Sequence, residues 1–251
     1  MSALRVADPA ARLTDNNLLA ALPPEEYARL APHCTIVHLG ASAAVYGVNE
    51  PIAQIYVPLT GVISVVTLMA DGAMVESGTI GREGMTGLPV FYGAEHSPQL
   101  TFAQVPGEHA RLPVAAFREA ATPGTVLYRL GQQFAQAYYV LVAQAGGCNR
   151  LHPNTERCAR WLLLTQDRTG TPTFPLSHEF LSIMLGSRRA SITLAMSTLQ
   201  RAGLVTYRRG IGTVIDRPGL EAAACECYGI IQQAFAPLFA VTPSIRSALR
   251  P

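Results

Sequence analysis

Lysine is missing altogether: all 19 cationic side chains are arginine, a bias that GC-rich codon usage produces by itself. Charged residues make up 14% of the 251, and tryptophan occurs once. No apolar run reaches the roughly 18 residues a membrane-spanning helix needs. The opening "MSALRVADPAARLTDNN" lacks the apolar stretch of a secretory signal, so the expected location is cytoplasmic, with no membrane partner. The five cysteines (Cys34, Cys148, Cys158, Cys225, Cys227) are odd in number and form no framework of spacings, which fits reduced thiols better than a disulfide scaffold.

What is present suffices for packed domains. Hydrophobic residues reach 49%, which excludes a disordered chain, and the length allows two domains. The net charge of +2 hides a division. Residues 1–149 carry seven arginines against eleven acids, and residues 150–251 carry twelve against six, so the second half is the candidate for a polyanionic partner.

Residues 15–31 read as a short helix with a proline-bearing start. From Thr35 to Leu112 the chain breaks into short β-rich runs, from "TIVHL" to "HARLPV", separated by turn signals such as Asp71-Gly72 and Pro106-Gly107. Many short strands evenly punctuated predict a sandwich or small barrel. Beyond Pro123-Gly124, Leu127, Leu130, Phe134, Ala137, Leu141, Gln144 and Cys148 recur at alternating steps of three and four, the pattern of a helix lying along a partner helix. Packing between two subunits is the expected use of this stripe, and burial against its own domain is the alternative. Asn154 is placed to cap a further helix that turns Cys158, Trp161, Leu162 and Thr165 inward. "RTGTPTFPLS" then reads as a linker.

"FLSIMLGSRRASITLAMSTLQRAGLV" (180–205) holds two helical patterns hinged on Gly186. Ser177 is positioned to cap the first. The second runs from about Arg188 to Ala202 and stops at Gly203. At 100° per residue, Ile192, Ala195, Met196 and Leu199 face inward, while Ala190, Thr193, Leu194, Ser197 and Arg201 face outward. Ser187, Arg188 and Arg189 stand at the helix mouth, where free amides and the helix dipole already favour anions. "LVTYRRGIGTVID" follows as a hairpin with Arg208 and Arg209 near its tip, which reads as a wing beside a recognition helix.

On these residues the chain resembles transcription regulators of the catabolite activator/fumarate-nitrate regulator (CRP/FNR) family over roughly residues 18–220, most specifically in the 180–205 segment, with "PLTGVISVV" similar to an early sensor segment. The resemblance implies an α+β fold: an N-terminal cupin-like β-roll (double-stranded β-helix) at 15–121, a dimerisation helix at 122–150, a winged helix-turn-helix at 151–220, and a C-terminal helical extension at 221–251. It implies a homodimer on a near-palindromic operator, with RNA polymerase as a further partner. The expected DNA-facing set is Ser177, His178, Ser187, Arg188, Arg189, Ala190, Thr193, Leu194, Ser197, Arg208 and Arg209. Where the family's recognition helix usually reads Ser-Arg-Glu with another arginine beyond, this chain has Ala190 and Leu194. Only Arg189 inherits base reading, through guanine O6 and N7, and Leu194 is suited to a thymine methyl.

The sensor half departs further. Thr86-Gly87 stands where cyclic-nucleotide binders carry Gly-Glu, and no arginine lies between Arg82 and Arg111. A buried phosphate would lack its guanidinium, so no cofactor is expected and cyclic nucleotide is not the predicted ligand. Glu83, Thr86, Gly87 and Leu88 mark the candidate pocket. Cys34 alone precedes residue 148, too few cysteines for an N-terminal iron–sulfur cluster. Cys225-x-Cys227, with Cys148 and Cys158, suggests a thiol switch or a metal site, but Cys-x-Cys alone is a weak zinc signal. Two alternatives compete with a DNA-binding, non-enzymatic regulator. One is a metal-dependent cupin-like enzyme, against which stands the lack of any His-x-His among His33, His38, His96 and His109. The other is a ligand-free regulator controlled by a protein partner.

Overall fold

The computed structural model describes residues 12–239. The expected single lead-in helix is two, α1 (Asn17–Ala20) and α2 (Pro24–Leu30). Proline steers the residue before it out of the helical region, so the break falls at Leu22-Pro23, and Pro24 opens α2 where its missing N–H costs nothing. Asn16 caps α1 through Oδ1, and its Nδ2 donates to the carbonyls of Pro58 and Gly84 at 3.0 Å each. This side chain therefore fastens the lead-in onto the β domain.

Seven strands follow: β1 (Thr35–Leu39), β2 (Ala44–Tyr46), β3 (Gln54–Pro58), β4 (Val62–Leu68), β5 (Met74–Ile80), β6 (Leu100–Val105) and β7 (Gly107–Pro113). They form two antiparallel sheets, β1-β7-β3 and β2-β6-β4-β5, with β1 running from Thr35 opposite Arg111 to Leu39 opposite Gly107. Ile55, Val57, Ile63, Val66, Ala110 and Leu112 are buried in the core the sheets share. Each of the larger ones contributes about 1.5–3 kcal/mol. The β4–β5 turn is made at Gly72 (φ 85°), preceded by Asp71, whose Oδ1 accepts from the Ala73 amide at 2.9 Å. Two short helices not expected from the sequence complete the domain: α3 (Leu88–Phe91) is too brief to show periodicity, and α4 (Val114–Ala120) continues directly from β7.

The 26-residue α5 (Val126–Leu151) is about 39 Å long. Its first amides are satisfied by Thr125 and by Glu26 of α2, which accepts from Val126 and Leu127 at 2.8 and 3.0 Å. A carboxylate there also favours the positive end of the helix dipole.

The second half comprises α6 (Asn154–Thr169), β8 (Thr173–Pro175), α7 (His178–Met184), α8 (Arg189–Arg201), β9 (Val205–Arg208), β10 (Ile211–Val214), α9 (Arg217–Ala222) and α10 (Cys227–Phe239). Pro153, not Asn154, is the N-cap of α6. Asn154 is the first helical residue, and its Oδ1 accepts from Arg157 Nη1 and Ser187 Oγ at 2.9 Å each. Cys158, Trp161, Leu162 and Thr165 face inward as expected. The supposed linker contains β8, the outer strand of a sheet ordered β8-β10-β9. Three residues ending in proline were too short a run to read as a strand.

The halves are joined by buried polar contacts. Arg168 of α6 pairs with Glu83, which follows β5, at 2.9 Å. Trp161 Nε1 donates to Glu76 of β5 at 2.9 Å, and Ser64 donates to the same carboxylate at 2.6 Å. Desolvation raises the Glu76 pKa, and these two donors oppose the rise. The phenyl ring of Phe180 in α7 lies 6.4 Å from that of Phe102 in β6.

Candidate nucleic-acid interface

Ser177 accepts from the Phe180 amide at 3.0 Å and so caps α7. Gly186, at φ 56°, makes the left-handed turn into α8, a conformation that would strain any other residue. Ile192, Ala195, Met196 and Leu199 of α8 are buried. Their burial fixes the rotation of the helix and turns Ala190, Thr193 and Leu194 to solvent, with Leu194 65% exposed. Ser197 is half-buried and bonds back to the Thr193 carbonyl at 2.8 Å.

The mouth of α8 is built differently from that of α7. Arg188 is its N-cap and supplies no side-chain hydrogen bond, so the first amides stay available to an acceptor. Arg189 follows, 69% exposed, with Nη1 3.3 Å from Glu179 Oε2 on α7. That exposed pair engages the guanidinium within the fold, a contact the sequence did not signal. Ser187 points the other way: its hydroxyl donates to Asn154 and accepts from Arg157 at 3.1 Å, which ties the turn to α6. His178 is also occupied within the fold. Its ring stacks on Tyr207 with centroids 4.5 Å apart, and Nδ1 lies 3.1 Å from Thr193 Oγ1. Burial, with Arg189 nearby, lowers its pKa.

The hairpin turn between β9 and β10 has two residues, Arg209 at φ 51° and Gly210 at φ 79°. This geometry matches the twist of paired strands, but Asn-Gly or Gly-Gly suits it far better than arginine. A left-handed arginine costs about 1–2 kcal/mol, and here it places a cation at the tip beside the exposed Arg208. Strain at an exposed cationic position favours a contact role over a folding role.

The stripe expected between subunits lies inside the chain. Leu127, Leu130, Phe134, Ala137, Leu141 and Cys148 are buried, and Gln144 is half-buried. They pack against the β domain and α10, with the Phe235 ring 6.3 Å from Phe134. The heptad spacing is real, but the partner helix it serves is α10 of the same chain. The outward face of α5 carries Gln132, Gln136, Tyr139, Val142, Ala143, Gly146 and Gly147.

Between that helix and the β domain lies a cavity of about 400 Å³, lined in part by Tyr46, Ile80, Thr86, Leu88, Tyr138 and Val142. Gly87 and Leu88 border it, and among the described residues no charged side chain does. Thr86 is committed to the fold: its Oγ1 accepts from the Tyr56 amide at 2.8 Å and lies 2.7 Å from the Tyr46 hydroxyl. The Tyr138 hydroxyl is buried and has no partner among the described residues. Glu83 lies outside this cavity, held by Arg168 and by the Gly81 amide at 3.0 Å, so it belongs to the domain junction.

Residues 156–223 match the Crp-like helix-turn-helix domain family. No curated protein matches the chain. Among solved structures, FixK2 from Bradyrhizobium japonicum is similar at a TM-score of 0.65 and 17% identity, covering 76% of this chain and 98% of its own. A CRP-family transcriptional regulator from Thermus thermophilus gives 0.61 and 19%, covering 75% and 96%. The c-di-GMP-responsive global regulator CLP of Xanthomonas campestris gives 0.60 and 15%, covering 76% and 99%.

Proposed function

We propose that this chain, a DNA-binding transcription regulator of the CRP/FNR type, binds a near-palindromic operator as a homodimer and is set by a small, largely apolar effector. The observation that carries the DNA reading is the mouth of α8: open amides, Arg188 and an exposed Arg189 at one end of a helix rotated by its own core. Phosphate contacts there and at Arg208 and Arg209 would set position, and Arg189 would read guanine in the major groove. Ala190 and Leu194 form an apolar outer face suited to thymine methyls, so the operator departs from the family's usual half-site.

The outer face of α5 is the proposed dimer seam. Gly146 and Gly147 are exposed, and among the described residues nothing beyond the adjoining helix backbone lies within 4 Å of where a side chain would begin. Each costs about 1 kcal/mol relative to alanine in a helix, a cost explained by close approach of a second α5. The seam would also present Tyr139 and Val142 to the partner. RNA polymerase is the proposed further partner at the promoter, and no catalytic step belongs to the reading.

The cavity beside Tyr138 is the proposed effector site. Its uncharged lining disfavours a phosphate and suits a largely apolar molecule. Occupancy would bias the position of α5 and thereby the spacing of the two recognition helices.

Selection of random duplexes by the purified protein tests the proposal. Enrichment of a two-fold symmetric site with half-sites about one helical turn apart is the expected result. Recovery of no symmetric site at low salt contradicts it.

A further inference from the structure

Three thiols and an imidazole meet where α5 ends and α10 begins. Cys148 lies in the last turn of α5, and His152, four residues on, is the C-cap of that helix, its amide donating to the Cys148 carbonyl. Cys225 lies in the loop after α9, and Cys227 is the first residue of α10. One ligand atom from each falls within 4.8 Å of the other three. Cys148 Sγ is 3.5 Å from Cys225 Sγ, and Cys227 Sγ is 3.6 Å from His152 Nδ1.

These separations can be compared with a metal's demands. Tetrahedral zinc, with Zn–S about 2.3 Å and Zn–N about 2.0–2.1 Å, sets S···S edges of about 3.8 Å and S···N edges of about 3.5 Å. The two edges given fall within about 0.3 Å of those values, and the other four lie within 4.8 Å. A disulfide would instead need sulfurs about 2.05 Å apart. The outer contact fits as well: His152 turns Nδ1 to the thiols and Nε2 to Glu226 Oε1 at 3.2 Å, the carboxylate–histidine pairing that orients an imidazole ligand. The three cysteines are buried and form a cluster separate from the main core. Buried Arg160 acts on Cys148 electrostatically and supplies positive charge toward thiolates.

We propose that Cys148, His152, Cys225 and Cys227 form a closed Cys3His site for Zn²⁺. The weak Cys-x-Cys signal gains its second pair from Cys148-x3-His152, more than seventy residues earlier. Cys158, grouped with these thiols in the sequence reading, is buried in α6 and is not part of the set. Binding releases the three thiol protons to solvent. Four protein ligands leave no open position, so the site is structural. It clamps α10 to the end of α5, beside the Leu151–Asn154 junction from which the DNA-binding unit departs, and it stands whether or not the operator reading does.

Metal content of the full-length protein, purified without chelator, is the test. One zinc per chain is expected, with loss of most of it in Cys227→Ser and full retention in Cys34→Ser, which lies outside the cluster. Glu226→Gln, an exposed change, should weaken zinc in a chelator competition by about 10–100-fold while keeping one zinc at saturation. A contact without a metal role would leave that competition unchanged. Replacement by Co²⁺ should give thiolate-to-cobalt charge transfer and tetrahedral d–d bands. If Cys227→Ser does not fold, the wild-type stoichiometry and cobalt spectrum decide. Reduced protein that takes up neither metal, iron in place of zinc, or a Cys148–Cys225 disulfide in freshly purified protein would overturn the proposal.

Discussion

Glu83→Gln removes one partner of the ion pair joining the two halves of the chain. Arg168 and Glu83 are 2.9 Å apart, with side chains 4% and 1% exposed. Arg168 also donates to the Leu164 carbonyl at 3.1 Å and stacks 5.6 Å from the Phe235 ring centre. With Glu83 neutral, the guanidinium stays buried without a counter-charge, a loss of about 3–5 kcal/mol. For a chain of this size each kcal/mol shifts Tm by about 2–4 °C, so a fall of about 6–20 °C is expected. Replacing both partners, as Glu83→Gln with Arg168→Met, should recover most of it, because the desolvation cost of the charge is then absent too. Thermal melts by circular dichroism give the magnitude. The single tryptophan, Trp161, bonds to Glu76 across the same junction and reports its opening by fluorescence. Single variants that each lose less than about 1 kcal/mol, with additive effects in the double, would refute the coupling.

Three further outcomes follow from the geometry. Arg209→Gly removes a tip cation and also relieves its left-handed strain; stability should hold or rise, while the salt dependence of DNA binding becomes shallower by about one unit of log–log slope per subunit. His109 is fully buried, and desolvation lowers its pKa from 6.5 to about 4. The unfolded chain therefore takes up a proton between pH 6.5 and 4 that the fold refuses. The associated stability is complete above pH 6.5 and falls by on the order of 3 kcal/mol across that window, so His109→Asn should flatten the acid limb of Tm against pH, and parallel curves would contradict the assignment. Tyr139→Glu puts like charges on the proposed seam and should convert dimers to monomers by light scattering with the fold unchanged; a dimer that persists places the seam elsewhere.

The β-rich half, the long helix and the two-helix unit with its wing were legible because each rests on periodicity or turn chemistry that local sequence carries. Gly72, Gly186 and Gly203 stand at left-handed turns where the pattern called for them. What escaped depended on distant partners. The stripe from Leu127 to Cys148 announced a helix partner, but periodicity cannot say whether that partner belongs to the same chain, and α10 supplies it. Ser187 and His178 carry groups suited to DNA, yet Asn154, Arg157, Tyr207 and Thr193 already engage them. Glu83 lies outside the cavity beside Thr86, and its ion pair with Arg168, eighty-five positions away, was not visible in the sequence. Cys148 and His152 became partners of Cys225 and Cys227 only through the packing of α10 on α5.

The central claim is that the mouth of α8 reads DNA through Arg189, and fluorescence anisotropy with the selected duplex and a scrambled one tests it most directly. The wild type should prefer the selected duplex. Arg189→Ala should lose about 1–3 kcal/mol of that preference per half-site while retaining salt-sensitive binding to both duplexes. An Arg189→Ala protein as selective as the wild type would contradict the account.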